Sequence, residues 1–168
     1  MLSRFIVVLG YALFPLSAFA DVLVRFVEGA PKDRFDIVAG ANLCGETPVS
    51  VIIDLEGSAG ALIFDVSETG AGVEVFQPFE LVAGRDHVTS HSPVSDGDTS
   101  LRLDLDGLSK GKKVAFTIDV DDTIGAREIT VTDAEIAGAS VRLEVEGETV
   151  EAEFDGDAVA SLNWTGCA

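Results

Sequence analysis

Apolar and polar residues alternate with period two along most of this chain. In Leu101-Arg102-Leu103-Asp104-Leu105 the leucines share one side and the charges the other. That is the pattern of a strand with one buried face. Val114-Ala115-Phe116-Thr117-Ile118-Asp119-Val120 places four apolar side chains on one face, and Val141-Arg142-Leu143-Glu144-Val145 does the same. The expected hairpin partner of the latter is Val150-Glu151-Ala152-Glu153-Phe154, across a turn at Glu146-Gly147-Glu148 where glycine tolerates positive φ. The same reading predicts strands over 22–27, 34–38, 49–55, 61–66, 73–79, 129–132 and 159–164. No window shows a helical period with caps. The segment 83–100 carries Gly, Pro, Ser and both histidines, and reads as a long surface loop.

Short alternating strands punctuated by 17 glycines predict an all-β fold, a two-sheet antiparallel β-sandwich. The expected architecture is Ig-like without the immunoglobulin Cys-Trp-Cys signature. No tryptophan lies between the cysteines at the usual spacing, and Trp164 is nearly terminal. There is no internal repeat and no linker, so residues 21–168 are expected to form one domain.

Residues 1–20 break the pattern. Arg4 precedes an apolar run over 5–16, and Ala18 and Ala20 give a small-x-small ending. The run is shorter than the roughly 20 residues that a spanning helix needs. This predicts a signal peptide cut after Ala20, and a protein secreted to the periplasm or the extracellular space. No cysteine sits at the cut, so a lipoprotein is not expected. Secretion gives the two cysteines a meaning. Cys44 and Cys167 are the only pair, and a disulfide between them is the expectation in an oxidising compartment. On the chain-entropy model such a long closed loop contributes about 4–5 kcal/mol.

Charge narrows the function classes. The chain has 29 acidic and 11 basic residues, for a net charge of -18. Losing residues 1–20 removes only Arg4, which makes the net -19. Such a polyanion has no basic stripe with which to neutralise phosphates, so nucleic-acid binding is excluded. Disorder is excluded by a hydrophobic fraction of 47%. Stable membrane insertion after cleavage is not expected, because no second apolar stretch of spanning length remains.

The densest chemical feature is Asp119-Val120-Asp121-Asp122-Thr123-Ile124-Gly125. Alternation puts Asp119 and Asp121 on the outer face as the strand ends, and Asp122 opens a turn. Carboxylates at this density repel unless solvent or a cation separates them. Calcium takes six to eight oxygen ligands, so calcium is the candidate cofactor. Asp96 and Asp98, in the turn Asp96-Gly97-Asp98, complete the candidate set, with Asp133 and Glu135 as possible neighbours. The EF-hand pattern fails, since Ile124 takes the sixth position and Thr130 the twelfth. A solvated acidic strand end is the simpler alternative.

No catalytic constellation is evident, and an enzyme is not expected. His87 and His91 are the only histidines; Val88 stands where a zincin carries Glu. No serine sits in a nucleophile elbow. Gly70-Ala71-Gly72 precedes a strand rather than a helix, so it reads as a hairpin turn and not a phosphate cradle. Asn163-Trp164-Thr165 is a formal glycosylation sequon. Trp164 reads as a core or edge aromatic, with an exposed sugar-stacking platform as the sharper alternative.

Four strings carry a resemblance. They are Phe26-Val27-Glu28-Gly29-Ala30-Pro31-Lys32-Asp33-Arg34-Phe35, Ile63-Phe64-Asp65, Phe116-Thr117-Ile118-Asp119-Val120-Asp121-Asp122-Thr123, and Glu135-Ile136-Ala137-Gly138-Ala139. The chain resembles the small secreted bacterial proteins called aggregation factor core proteins, named for similarity to the core protein of the sponge aggregation factor. The resemblance implies calcium-dependent adhesion, with surface glycans or other extracellular proteins as partners; it transfers no site residues. The expectation is a secreted, non-enzymatic module for extracellular or cell-surface interaction. The alternative is an acidic periplasmic structural or accessory domain with no cation requirement.

Overall fold

The structure is a computed structural model, and it describes residues 21–40, 46–68, 75–124 and 130–164. The expected signal peptide, Cys44, Cys167 and the Gly70-Ala71-Gly72 turn lie outside the described residues.

Eleven strands are described. They are β1 (Val22–Val27), β2 (Asp33–Ala39), β3 (Val49–Asp54), β4 (Ile63–Asp65), β5 (Glu80–Ala83), β6 (Val88–His91), β7 (Ser100–Leu105), β8 (Lys113–Asp121), β9 (Ser140–Val145), β10 (Glu148–Glu153) and β11 (Val159–Leu162). One sheet runs β11-β1-β2-β8, and the far edge of β8 is shared by β5 and β4. The second runs β10-β9-β3-β7-β6. Every described pairing is antiparallel. The expected two-sheet antiparallel sandwich is what the chain forms.

Alternation determines which side chains meet between the sheets. On β8, Val114, Phe116, Ile118 and Val120 are buried, and they face Val51, Leu103 and Leu143 of the other sheet within one core. Phe35 anchors that core, stacked on Phe116 at 5.0 Å and edge-on to Phe26 at 5.2 Å. Offset and edge-on pairs are the favoured aromatic geometries. The β9–β10 hairpin closes through Glu146-Gly147 alone, both with positive φ (51° and 87°), and Glu148 already pairs with Val145. That is the tight two-residue turn whose twist matches its strands.

Three expectations need correction. Of the strand expected over 73–79, the described part 75–79 forms none, and β5 begins only at Glu80. The segment 83–100 is not one loop, because a 3-10 turn, Arg85–His87, leads into β6 on the edge of the second sheet. Its backbone bonds to β7 do not require the exposed side chains to alternate. No strand forms over 130–132. A single helical turn, α1 (Asp133–Ile136), follows instead, started by a capping box in which Glu135 accepts from the Thr132 backbone N–H.

Candidate functional site

The far edge of β8 is divided. Residues 115–117 pair with β5, and residues 119–121 pair with β4. Between the two, Gln77 bridges: its N–H donates to the Asp65 carbonyl at 3.3 Å, and its carbonyl accepts from the Asp119 N–H at 3.2 Å. In the β4–β8 register Asp65 lies directly opposite Asp119, and Ile63 opposite Asp121. Opposed residues of an antiparallel pair share a face. Phe64 and Val120 take the core face, so Asp65, Asp119 and Asp121 all project from the other one.

That face is not open. Asp65 is 1% exposed, Asp121 2%, Asp119 4% and Asp122 6%. The expectation of solvent-facing carboxylates at Asp119 and Asp121 is therefore corrected: they occupy the outward side of the strand but are covered. Asp33, at the first position of β2, lies opposite Ile118 in the core-side register, is 2% exposed, and adds its charge to the group from there. Its Oδ1 accepts from the Gly29 N–H at 3.0 Å, and its Oδ2 from the Val120 N–H at 3.1 Å.

Asp96 reaches the group through the turn before β7. Phe64 N–H donates to the Asp98 carbonyl at 2.8 Å, and Gly97 N–H to the Phe64 carbonyl at 2.9 Å, which fastens the turn along β4. The Asp96 Oδ1 accepts from the Val66 N–H at 3.0 Å and the Ser67 N–H at 3.4 Å. Asp98 does not share this environment. It is exposed, and its Oδ2 accepts from the Ser95 N–H at 2.7 Å within the turn itself. Glu135 is committed to its capping box, and Asp133 is exposed.

Burial without donors has an electrostatic consequence. Both Asp65 oxygens and Asp119 Oδ2 are sealed from solvent with no hydrogen-bond donor. Desolvation raises the Asp65 carboxyl to about 8, reinforced by the adjoining Asp96 and Asp121 carboxylates. Burial likewise raises Asp119 to about 7, with the Asp121 and Asp33 charges adding to it. Asp33 is raised to about 7 by burial, against which its two backbone N–H donors act. The group therefore cannot be fully ionised at neutral pH without a positive partner. Such a partner is a proton or a cation held by carboxylate oxygens. Among the described residues no set of three or more His, Cys, Asp or Glu is arranged as a ready-made metal centre. The carboxyl contacts of Asp65 are pairwise, one with Asp96 and one with Asp121.

The remaining candidates lie apart. His87 Nδ1 is 3.4 Å from Asp106, while His91 on β6 has Nδ1 2.8 Å from the Ser92 carbonyl and its ring 4.5 Å from Phe79. Trp164 is buried rather than a sugar-stacking platform, and its backbone N–H donates to Asp21 Oδ2 at 2.7 Å.

Sequence reasoning missed Asp33 and Asp65. Asp33 had a visible signal: it falls in the core register of Phe35, Ile37 and Ala39. Asp65 had none that a local pattern could show, because its significance comes from lying opposite Asp119. No family model matches the chain, and no curated protein matches it in sequence.

Proposed function

We propose that this is a secreted, non-enzymatic β-sandwich module for extracellular or cell-surface interaction, of the aggregation or adhesion type, and that it takes up calcium at the acidic edge of β8. The observation that carries the calcium reading is Asp65: a fully buried carboxylate, with no donor on either oxygen, packed against Asp96 and Asp121. A hard cation with oxygen ligands relieves that arrangement better than any side chain within it. Asp65, Asp96, Asp121 and Asp119 are the carboxylates that would hold the ion; Asp122 is adjacent, and Asp98 is not needed. The resemblance to aggregation factor core proteins supports the same reading, since three of its four strings contain Asp33, Asp65, Asp119 and Asp121. Glycans or extracellular proteins are then the partner classes.

A second reading is favoured by the pairwise arrangement of the acids. A proton on Asp65 could fill the role of the cation, in an accessory domain with no cation requirement.

Thermal melts at pH 7.5 separate the two. Millimolar calcium is expected to raise the melting temperature above that in chelator at equal ionic strength, by about 2.7 kcal/mol of stability at a hundredfold excess over Kd. Asp65→Asn is expected to abolish the response. Identical melts in calcium, sodium and chelator would overturn the calcium reading.

A further inference from the structure

Asp21, the residue before β1, is a buried carboxylate with half of its acceptor capacity unused. It is 5% exposed. Its backbone is held on both sides: the N–H donates to the Leu162 carbonyl at 2.9 Å, and the carbonyl accepts from the Gly40 N–H at 2.7 Å. Its Oδ2 accepts from the Trp164 backbone N–H at 2.7 Å. Its Oδ1 is sealed from solvent with no donor. The indole N–H of Trp164 is unpartnered as well, so it does not serve that oxygen. A buried carboxylate oxygen without a donor is destabilising.

No cationic side chain answers it. β11 carries no titratable residue. On β2, Arg34 lies opposite Val27 and Asp36 opposite Arg25, at the far end of the β1 register, and Asp33 lies beyond them. On α1, Asp133 is exposed and Glu135 is committed to its capping box. Lys112, whose carbonyl accepts from the Ala39 N–H, has its Nζ 3.4 Å from His87 Nδ1. Asp21 forms no ion pair among the described residues.

The same residue is where the sequence expects the chain to be cut. Hydrolysis of the Ala20–Asp21 bond by a signal peptidase adds one water, leaving a carboxylate on Ala20 and an ammonium on the Asp21 nitrogen. We infer that this new N-terminus is the missing partner: the α-ammonium of Asp21 pairs with its own buried Oδ1, so that removal of residues 1–20 completes the fold. One N–H of the ammonium keeps the bond to the Leu162 carbonyl. The others are free for Oδ1, which is tied to the same nitrogen through only Cα, Cβ and Cγ. In the uncut chain that nitrogen is a neutral amide, and the buried carboxylate has no counter-charge. Processing and stability are thereby linked. The inference rests on the reading of this protein as secreted and is independent of the β8 edge.

The test uses protein exported by cells with its own residues 1–20. One Gly inserted between Ala20 and Asp21 moves the ammonium a residue away, and the masses of the exported chains fix the cut. At pH 6.5 the chain beginning at Asp21 should melt at least about 3 °C above the Gly-extended chain. An ammonium whose folded value is raised by its partner gives stability that is complete below the ordinary α-amino value of about 7.7–8.0 and is lost as pH rises through the folded value. The gap should therefore close by about pH 10. Asp21→Asn keeps an acceptor for the Trp164 N–H and removes the charge. In that background the insertion should cost less than about 1 °C. An exported chain that is uncut, or cut at another bond, would overturn the processing reading and the pairing with it. A chain cut at Asp21 would overturn the pairing alone if it melted with the extended chain, if the gap persisted unchanged at pH 10, or if the insertion cost as much in Asp21→Asn.

Discussion

Asp65 and Asp104 both project from the outer face of a sheet, and their environments drive them to opposite states. Asp104 accepts from the Ser50 hydroxyl at 2.6 Å, the Ser90 hydroxyl at 2.7 Å and the Arg102 guanidinium at 2.8 Å. The two serines, with Arg102 behind them, hold its carboxyl down at about 2. Asp65 has no donor, is sealed from solvent and faces two other carboxylates, which together push it to about 8. Residue type and strand position are shared; donors and cover are not. A carboxylate that already has its donors gives structure to a surface. One without them is left dependent on something bound.

The largest effect that sharpens this contrast is on the pH dependence of stability in chelator. Asp33, Asp65 and Asp119 have folded-state values raised to about 7, 8 and 7. Below about pH 4 they are protonated in both the folded and the unfolded chain, and no stability is lost. As pH rises, the unfolded chain ionises freely while the folded chain holds its protons, so stability falls until pH passes the folded values. Between pH 4 and 8 the expected loss is on the order of 3–5 kcal/mol, discounted because the three groups interact. Melting temperatures across that range check it. A profile that rises steadily from pH 4 to 8 would show that these carboxyls ionise without cost.

Next in size is Asp65→Asn without calcium. The amide keeps the shape, removes the charge and brings two N–H donors to Asp96 and Asp121. At pH 8 the variant is expected to be more stable than wild type by about 1–2 kcal/mol, since it relieves a buried like-charge contact. Near pH 4, where wild-type Asp65 is already neutral, the difference should vanish. Denaturant midpoints at the two pH values measure it. A variant destabilised equally at both would mean that Asp65 packs as a structural residue and that its charge is incidental.

How much of this was legible in the sequence follows from what alternation encodes. It reports which side of a strand faces the core, so Leu101–Leu105 and Val114–Val120 located the two sheets' inner surfaces, and the sandwich followed. It does not report what lies over the other side. Asp119 and Asp121 were therefore placed on the outward face of β8, as they are, but without the cover that changes their chemistry. Nor does it report which strands pair. Asp65 matters because β4 sets it against Asp119, and Asp96 because a turn is bonded to β4; both facts are long-range. The edge strand β6 escaped notice because three of its four side chains are exposed and need not alternate. The turn of helix at Asp133–Ile136 did have a local signal, Thr132-Asp133-Ala134-Glu135, a capping box too short to show a helical period.

The smallest effect tests the other half of the contrast. Asp104→Asn removes a carboxylate whose folded value lies below its unfolded one. Its stabilisation is thus present above about pH 4 and lost as pH falls through about 2, the reverse of Asp65. Its side chain is 36% exposed, so solvent screens most of the interaction, and the expected cost at pH 7 is below about 1 kcal/mol. The amide can still accept from one serine, while Arg102 keeps Glu144 as its partner at 2.7 Å. The cost should shrink further in high salt and disappear near pH 2, where wild-type Asp104 is itself half protonated. Urea midpoints for the variant at pH 7 and pH 2 give the comparison. A loss above 2 kcal/mol, unaffected by salt, would make the Ser50–Asp104–Arg102 network a rigid core element and not a solvated surface of the five-stranded sheet.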